Sequence, residues 1–161
     1  MLKREIRTTP GTVEVRANEG EPTVITGYAA IFGELSQNLG GFHEQIEPGA
    51  FDDVLDNDVR ALFNHNSNYI LARTKSKTLK LSIDERGLKY EFEAPETQAA
   101  RDLVISIKRG DISGSSFGFT VEDDNWSEDE EGRIVRTIKK VRELYDVGPV
   151  TFPAYEQTEA T

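Results

Sequence analysis

The chain contains no cysteine among its 161 residues. This absence excludes a disulfide framework, a thiol nucleophile and any zinc site built on thiolates. No stretch approaches the roughly 20 consecutive apolar residues that a membrane-spanning helix requires. The first ten residues, MLKREIRTTP, are charged and lack the apolar run of a signal peptide. We therefore expect a cytosolic protein without a membrane partner, whose fold is held by packing.

Histidine and basic residues are also scarce. The chain has two histidines, and 19 Lys and Arg face 29 Asp and Glu, for a net charge of -10. Such a surface lacks the clustered cations that displace counterions from phosphate, so no nucleic-acid partner is expected. Any mechanism that uses an imidazole must use His43 or His65. No H-E-x-x-H motif, Walker loop or dinucleotide fingerprint is present, so neither a metal nor a cofactor is predicted.

Length and composition predict a single domain over residues 1–161. Hydrophobic residues make up 37% of the chain, which suffices for one core but not for two. Apolar and polar residues alternate, with the period of a half-buried strand, at positions 12–16, 24–32, 59–63, 117–121 and 134–150. We therefore expect strands to dominate the fold.

Two hairpins are predicted along the chain. In the first, residues 79–83 and 88–92 alternate on either side of the turn sequence 84–87. This pattern indicates a hairpin with one buried face. The acidic segment 122–131 is predicted to form the solvated loop of the second hairpin.

One helix is predicted over residues 95–109. Its apolar residues recur at three- and four-residue spacing on one face: Ala100, Leu103, Val104 and Ile107. Pro95 and Glu96 suit a first helical turn, and Gly110 can take the left-handed cap. A shorter helix is predicted over 49–55, with its apolar residues packed inward. The fold class expected is mostly β (α+β): a small antiparallel β-barrel or curled sheet flanked by one or two helices.

A candidate nucleophile lies in residues 114–118, GSSFG, which match the G-x-S-x-G pattern. In an α/β-hydrolase this elbow follows a strand, precedes a helix and comes before the catalytic histidine. Here the predicted helix precedes the motif, a predicted strand follows it, and both histidines come before Ser116. The α/β-hydrolase interpretation is therefore excluded. Ser116 remains a candidate nucleophile, the alternative being a flexible loop between helix and strand.

His65 is a better candidate base than His43. It follows the predicted strand 59–63, whose end can hold an imidazole over a cleft, and a histidine that precedes its serine is compatible with a catalytic triad. The alternative is a surface-loop histidine flanked by asparagines. His43 follows a glycine-rich loop and is expected to cap a surface turn. Asp146 and Glu143 can each orient an imidazole, and spacing does not choose between them.

Five separated blocks share their order and spacing with one known family. They are 27–32 (GYAAIF), 47–51 (EPGAF), 63–66 (FNHN), 113–119 (SGSSFGF) and 150–154 (VTFPA). Over nearly its whole length the chain resembles the prohead proteases of tailed phages of the Hong Kong 97 type. The resemblance implies a fold similar to herpesvirus assemblin, a β-barrel surrounded by helices.

The resemblance also implies an activity and a site. Such enzymes are serine endopeptidases that act inside the procapsid, in the cytoplasm of the bacterial host, and cut the scaffold protein, the major capsid protein and usually themselves. By position, the family's histidine falls on His65, its serine on Ser116 and its acid on Asp146, with Glu143 in reserve. The implied partners are the major capsid protein or a scaffold protein, with self-association as a further option. A non-catalytic capsid-assembly domain of this fold and a serine esterase remain alternatives.

Overall fold

A computed structural model describes residues 3–152 of the chain. Ten strands and one helix occur in this range. In chain order they are β1 (Glu5–Thr9), β2 (Val13–Arg16), β3 (Val24–Ile31), β4 (His43–Ile46), β5 (Arg60–Leu62), β6 (Ile70–Arg73), β7 (Lys80–Ile83), β8 (Gly87–Glu93), α1 (Gln98–Arg109), β9 (Gly114–Glu128) and β10 (Ile134–Val150).

The strands form two sheets. The larger has the order β1-β9-β10-β5-β6, with β4 also paired to β10, and the smaller has the order β2-β3-β8-β7. The larger sheet is mixed, because β4 and β5 run parallel to β10 whereas β1, β9 and β10 pair antiparallel. The mostly β fold class is confirmed. The described strands do not form the expected closed barrel, because none of their pairings joins the two sheets.

One hydrophobic core joins the two sheets. Ile25 and Tyr90 from the smaller sheet belong to the same buried cluster as Phe117 and Phe119 from the larger. The Phe117 ring also packs edge-on against Phe51, with 5.5 Å between the ring centroids. The predicted hairpin over 79–92 is confirmed as β7 and β8. The core thus fixes β9, the strand of the candidate nucleophile, from one side.

The predicted long helix is confirmed as α1, and Ala100, Leu103 and Ile107 lie on its buried face. It begins later than expected, because the Thr97 side chain accepts a hydrogen bond from the Ala100 N–H at 3.1 Å and caps the first turn. Pro95 and Glu96 therefore precede the helix. Gly110, with φ of 86°, ends it as expected.

The predicted short helix over 49–55 is wrong. Residues 48–56 form consecutive turns, in which the N–H of Asp52 bonds the carbonyl of Gly49 and the N–H of Val54 bonds that of Phe51, both at 3.2 Å. These bonds span three residues rather than the four of an α-helix. Phe51 and Val54 are nevertheless buried, because the turns present the same apolar side chains to the core.

The predicted loop over 122–131 is shorter in the structure. Strand β9 continues through the acidic segment to Glu128, paired with β10, and only residues 129–133 form the loop. The Asp129 carboxylate closes this loop by accepting the Arg133 N–H at 2.8 Å. Both faces of this part of β9 are largely exposed, so its sequence shows no apolar alternation that would have predicted a strand.

A network of charged side chains spans β1, β4, β9 and β10. Arg136 donates to Glu5 at 2.7 Å, to Asp124 at 2.8 Å and to Glu44 at 3.3 Å, and Arg7 also donates to Glu44 at 2.7 Å. Glu44 is only 4% exposed. Burial raises the pKa of Glu5, but the hydrogen bonds and charges of Arg136 and Arg7 outweigh it and hold that pKa below its usual value. The network therefore needs ionised carboxylates.

Replacing Arg136 with methionine is expected to lower the free energy of unfolding by about 3 kcal/mol at pH 7, because buried carboxylates lose a partner. The loss should shrink at low pH. A carboxyl with a lowered folded-state pKa stabilises the fold above its unfolded pKa of about 4.3, and that contribution disappears as the pH falls through the folded pKa. Urea unfolding at pH 7 and about pH 3 measures both values.

Arg133→Met is the matched control, since it removes an exposed arginine that pairs with Asp129 at the hairpin loop. Arg133→Met is expected to change the free energy of unfolding little. If Arg136→Met lowers the free energy of unfolding equally at both pH values, the role of ionised Glu5 is contradicted.

Candidate active site

The two neighbouring serines of β9 face opposite sides of the sheet. Ser115 points into the core, where its Oγ lies 2.6 Å from the hydroxyl of Tyr90. Burial raises the pKa of Tyr90, so its phenol stays a neutral hydrogen-bond partner. Because side chains alternate along a strand, Ser116 points to the other face. Ser116 lies between its register partners Thr8 on β1 and Gly148 on β10. This segment is a strand and not the flexible loop considered from the sequence.

His65 and Asp146 are brought together by the structure. The Nδ1 atom of His65 lies 2.5 Å from Oδ2 of Asp146. A carboxylate can only accept, so Nδ1 donates its proton and, in the neutral ring, Nε2 carries a free lone pair. Nε2 of His65 is buried and has no hydrogen-bond partner in the part of the chain that the structure describes. The imidazole is therefore oriented at one nitrogen and available as a base at the other.

The carboxylate of Asp146 lies over Gly118. These residues are register partners, and a Cβ atom built on Gly118 would lie 2.3 Å from Oδ1 of Asp146. Ser116 precedes Gly118 by two positions on the same strand and so shares its face. Ser116, His65 and Asp146 therefore lie on one side of the larger sheet. The structure contains no hydrogen bond between Nε2 of His65 and Ser116, a bond that in free enzymes often forms only with substrate.

Gly118→Ala is expected to displace the Asp146 carboxylate, because the new methyl group occupies its position. The displaced carboxylate no longer orients the imidazole, and a loss of activity of about 100-fold should follow. The rate at which a fluorophosphonate reagent modifies the serine measures this loss. Thr120→Ala, at the next position on the same face, is the control, since the Thr120 hydroxyl has no hydrogen-bond partner among residues 3–152. Equal rates in both variants would contradict the steric role of Gly118.

The remaining candidates lie elsewhere. Glu143, the reserve acid, is exposed, and its carboxylate accepts a hydrogen bond from Tyr145 at 3.3 Å rather than from His65. His43 begins β4 and contacts the carbonyl of Ser36 through Nδ1 at 2.8 Å. The geometry thus pairs His65 with Asp146 among the two acids considered.

Three residues around the site were missed by the sequence reasoning. Gly118 and Gly148 allow close approaches, since a Cβ on Gly148 would lie 2.0 Å from the carbonyl oxygen of Leu62. Glycine inside a strand is a known signal of such an approach. Asn64 adopts a φ of 54° beside His65, and asparagine is a frequent residue of turns with positive φ. These signals become specific only once the strand pairing is known.

Residues 3–152 contain no helix long and apolar enough to cross a membrane. Within the same range, no group of three or more histidine, aspartate or glutamate side chains is arranged to hold a metal ion.

A serine on a strand, with a histidine on the same face whose Nδ1 is held by a carboxylate, is the arrangement of a serine hydrolase. Comparison with known proteins defines the class further. The family model described as caudovirus prohead serine protease matches residues 11–161. The chain belongs to this family, which confirms the resemblance seen in the five sequence blocks. The last two residues of the fifth block, Pro153 and Ala154, lie outside the described residues.

Two relatives place the chain among known proteins. It is similar to the prohead protease of Enterobacteria phage HK97, with 32% identity over 143 residues. That match covers 86% of this chain and 59% of the relative, so the chain spans about three fifths of the relative's length. The fold is similar to the bacteriophage T4 capsid assembly protease, with a TM-score of 0.56 and 11% identity over 92% of this chain and 98% of that one. At this identity the likeness shows the fold alone.

Proposed function

We propose that the chain is a serine endopeptidase that cleaves the scaffold or the major capsid protein precursor, and itself, during procapsid maturation. Its family is that of the prohead serine proteases, which supports the reaction class. The observation that carries the proposal is the pairing of His65 with Asp146 on the face of the sheet that bears Ser116. The site of action would be the interior of the procapsid in the bacterial host cytoplasm, with self-association as a further property.

Each of the three side chains has a role in the proposed reaction. Ser116 Oγ attacks the scissile carbonyl carbon while Nε2 of His65 takes the hydroxyl proton. The carboxylate of Asp146 stabilises the imidazolium through its bond to Nδ1. The tetrahedral intermediate then breaks the C–N bond as His65 gives the proton to the leaving amine. Water, deprotonated by the same imidazole, hydrolyses the resulting ester and frees Ser116.

Access to the nucleophile is restricted in the structure. Ser116 is only 1% exposed, and Nε2 of His65 is buried. A peptide can reach Ser116 only after groups that cover it move aside. We therefore propose that the enzyme is most active where its substrate is concentrated and can drive this opening, as inside a procapsid.

A reagent that needs no known substrate tests the activity. In a fluorophosphonate, the serine oxygen attacks phosphorus, fluoride leaves and the base takes the proton, so only an activated serine reacts. Intact-mass and peptide analysis should show one added phosphonyl group on Ser116. The chain is tested alone and after co-expression with the major capsid protein encoded beside it, whose cleavage is followed by mass.

The outcomes separate the candidate functions. Labelling together with a cut capsid protein supports the endopeptidase. Labelling and hydrolysis of small esters, with the capsid protein left intact inside assembled procapsids, would indicate an esterase. Absence of both labelling and cleavage under all these conditions would favour the non-catalytic capsid-assembly domain.

We also propose that the fold is related to that of herpesvirus assemblin. The two-sheet arrangement around one core, with the proposed nucleophile on β9 between β1 and β10, supports the relationship. Superposition on an assemblin structure tests it, and a TM-score of less than about 0.5 would contradict it.

A further inference from the structure

The loop that carries His65 has an unfavourable backbone conformation. The N–H of Asn66 donates to the carbonyl of Phe63 at 3.0 Å and closes a four-residue turn. The two central residues, Asn64 and His65, have φ of 54° and 57°. Positive φ at both central positions is the signature of a type I′ turn, in which glycine usually follows asparagine. His65 carries a Cβ atom at the position where glycine is preferred, so its conformation must be held by other contacts.

Asn64 supplies those contacts. Its N–H donates to the carbonyl of Pro149 at 3.0 Å. Its side-chain oxygen accepts the N–H of Thr151 at 2.8 Å, and its side-chain nitrogen donates to the hydroxyl of the same threonine at 3.1 Å. Three hydrogen bonds therefore fasten the residue before His65 to the end of β10, the strand that also carries Asp146.

The strand β10 is shaped to receive this turn. Gly148 has φ of 148°, and a Cβ atom there would lie 2.0 Å from the carbonyl oxygen of Leu62. The missing side chain lets the end of β5 lie against β10. Asn64, two residues further on, is then within hydrogen-bond distance of Pro149 and Thr151. The turn is thus anchored to β10, the strand whose Asp146 bonds the imidazole of His65.

We propose that Asn64 is a positioning residue for the base, a role that deepens and rests on the proposed function. Its side chain clamps the left-handed turn to Thr151, and this clamp keeps His65 in the conformation that reaches Asp146. Without the clamp, residue 65 relaxes toward negative φ, the imidazole leaves Asp146, and Nε2 moves away from the face of Ser116.

Three substitutions separate the clamp from the backbone conformation. Asn64→Gly tolerates positive φ and keeps the N–H bond to Pro149, but removes the side-chain clamp. Asn64→Asp keeps an acceptor for the Thr151 N–H, and the threonine hydroxyl can donate to its second oxygen. Asn68→Gly changes an asparagine of the same loop. Among residues 3–152, the one hydrogen bond of Asn68 is made by its backbone N–H, which donates to the side-chain oxygen of Asn66.

Two readouts are measured on the full chain. The first is the low-field proton resonance of Nδ1–H of His65, assigned by its loss in His65→Asn, which reports the bond to Asp146 without any need for activity. The second is the rate of modification by the fluorophosphonate, resolved into reagent binding and reaction.

Asn64→Gly is expected to lose the resonance and to slow the reaction step by about 10- to 100-fold with unchanged reagent binding. Asn64→Asp and Asn68→Gly should keep the resonance and react at a rate within about threefold of that of the parent chain, because His65 keeps its position in both variants. A retained resonance in Asn64→Gly would overturn the proposal. An equal loss of the resonance in Asn64→Asp would also overturn the proposal, because that variant keeps the side-chain bonds to Thr151. If the parent chain is neither labelled nor able to cleave the co-expressed capsid protein, the proposed function fails, yet the resonance still tests the positioning role.

Discussion

Replacing Ser116 with alanine is expected to abolish cleavage of the co-expressed capsid protein, whereas Ser115→Ala should leave it. The first change removes the oxygen that attacks the carbonyl, and losses of about 10⁴-fold or more follow removal of a serine nucleophile. Ser115 lies on the opposite face, bonded to Tyr90, and has no access to His65. Intact-mass analysis of the capsid protein, with cleavage sites read from the fragment masses, measures both results.

Stability must be compared alongside cleavage. Ser115→Ala leaves the buried hydroxyl of Tyr90 without its partner and should lower the free energy of unfolding by about 1–3 kcal/mol. Ser116→Ala should unfold much like the parent chain, since the Ser116 side chain donates no hydrogen bond within the described part of the chain. Cleavage that persists in Ser116→Ala, or that disappears only in Ser115→Ala, would show that the nucleophile is a different residue.

Replacing Asp146 with asparagine is expected to slow cleavage by about 10⁴-fold, the size of effect seen when a triad aspartate is neutralised. An amide can donate to Nδ1 of His65, which then places the ring proton on Nε2, and a protonated Nε2 cannot accept from Ser116. Asparagine has nearly the size of aspartate, so the fold should persist. Single-turnover rates of fluorophosphonate labelling and of capsid-protein cleavage measure the loss.

Glu143→Gln is the matched control for the acid. Its carboxylate is exposed and contacts Tyr145, so labelling should stay within about threefold of the parent rate. The reverse pattern, with turnover kept in Asp146→Asn and lost in Glu143→Gln, would assign the orienting role to Glu143. Equal, small effects in both variants would mean that neither Asp146 nor Glu143 orients the base.

Local sequence features predicted the local elements well. The hairpin of β7 and β8 follows from alternation on both sides of a turn, and α1 follows from apolar residues at helical spacing with Gly110 at its end. Both signals depend only on near neighbours in the chain. The prediction of a short helix over 49–55 was wrong for a local reason. Consecutive turns can bury the same apolar side chains at the same spacing as a helix.

These local signals do not predict which strands pair with each other. Alternation shows that a strand buries one face, but not which strands are neighbours, so a closed barrel and two sheets were equally compatible with it. The acidic part of β9 was missed because both of its faces are largely exposed. The pairing of His65 with Asp146, residues far apart in the chain, depends on the register of β9, β10 and β5.

By itself the sequence determined the mostly β class, the long helix, the family and the three candidate side chains, because residue types and their order carry that information. Only the tertiary structure decided that Asp146, and not the reserve acid Glu143, is the neighbour of His65. It showed that Ser115 faces the core, where it contacts Tyr90, whereas Ser116 lies on the face of the His65–Asp146 pair. It also revealed that Asn64 and Gly148 secure the turn of the base. The physical reason is that a site of this kind is made by contacts across strands, and strand register is set by the packing of the whole core.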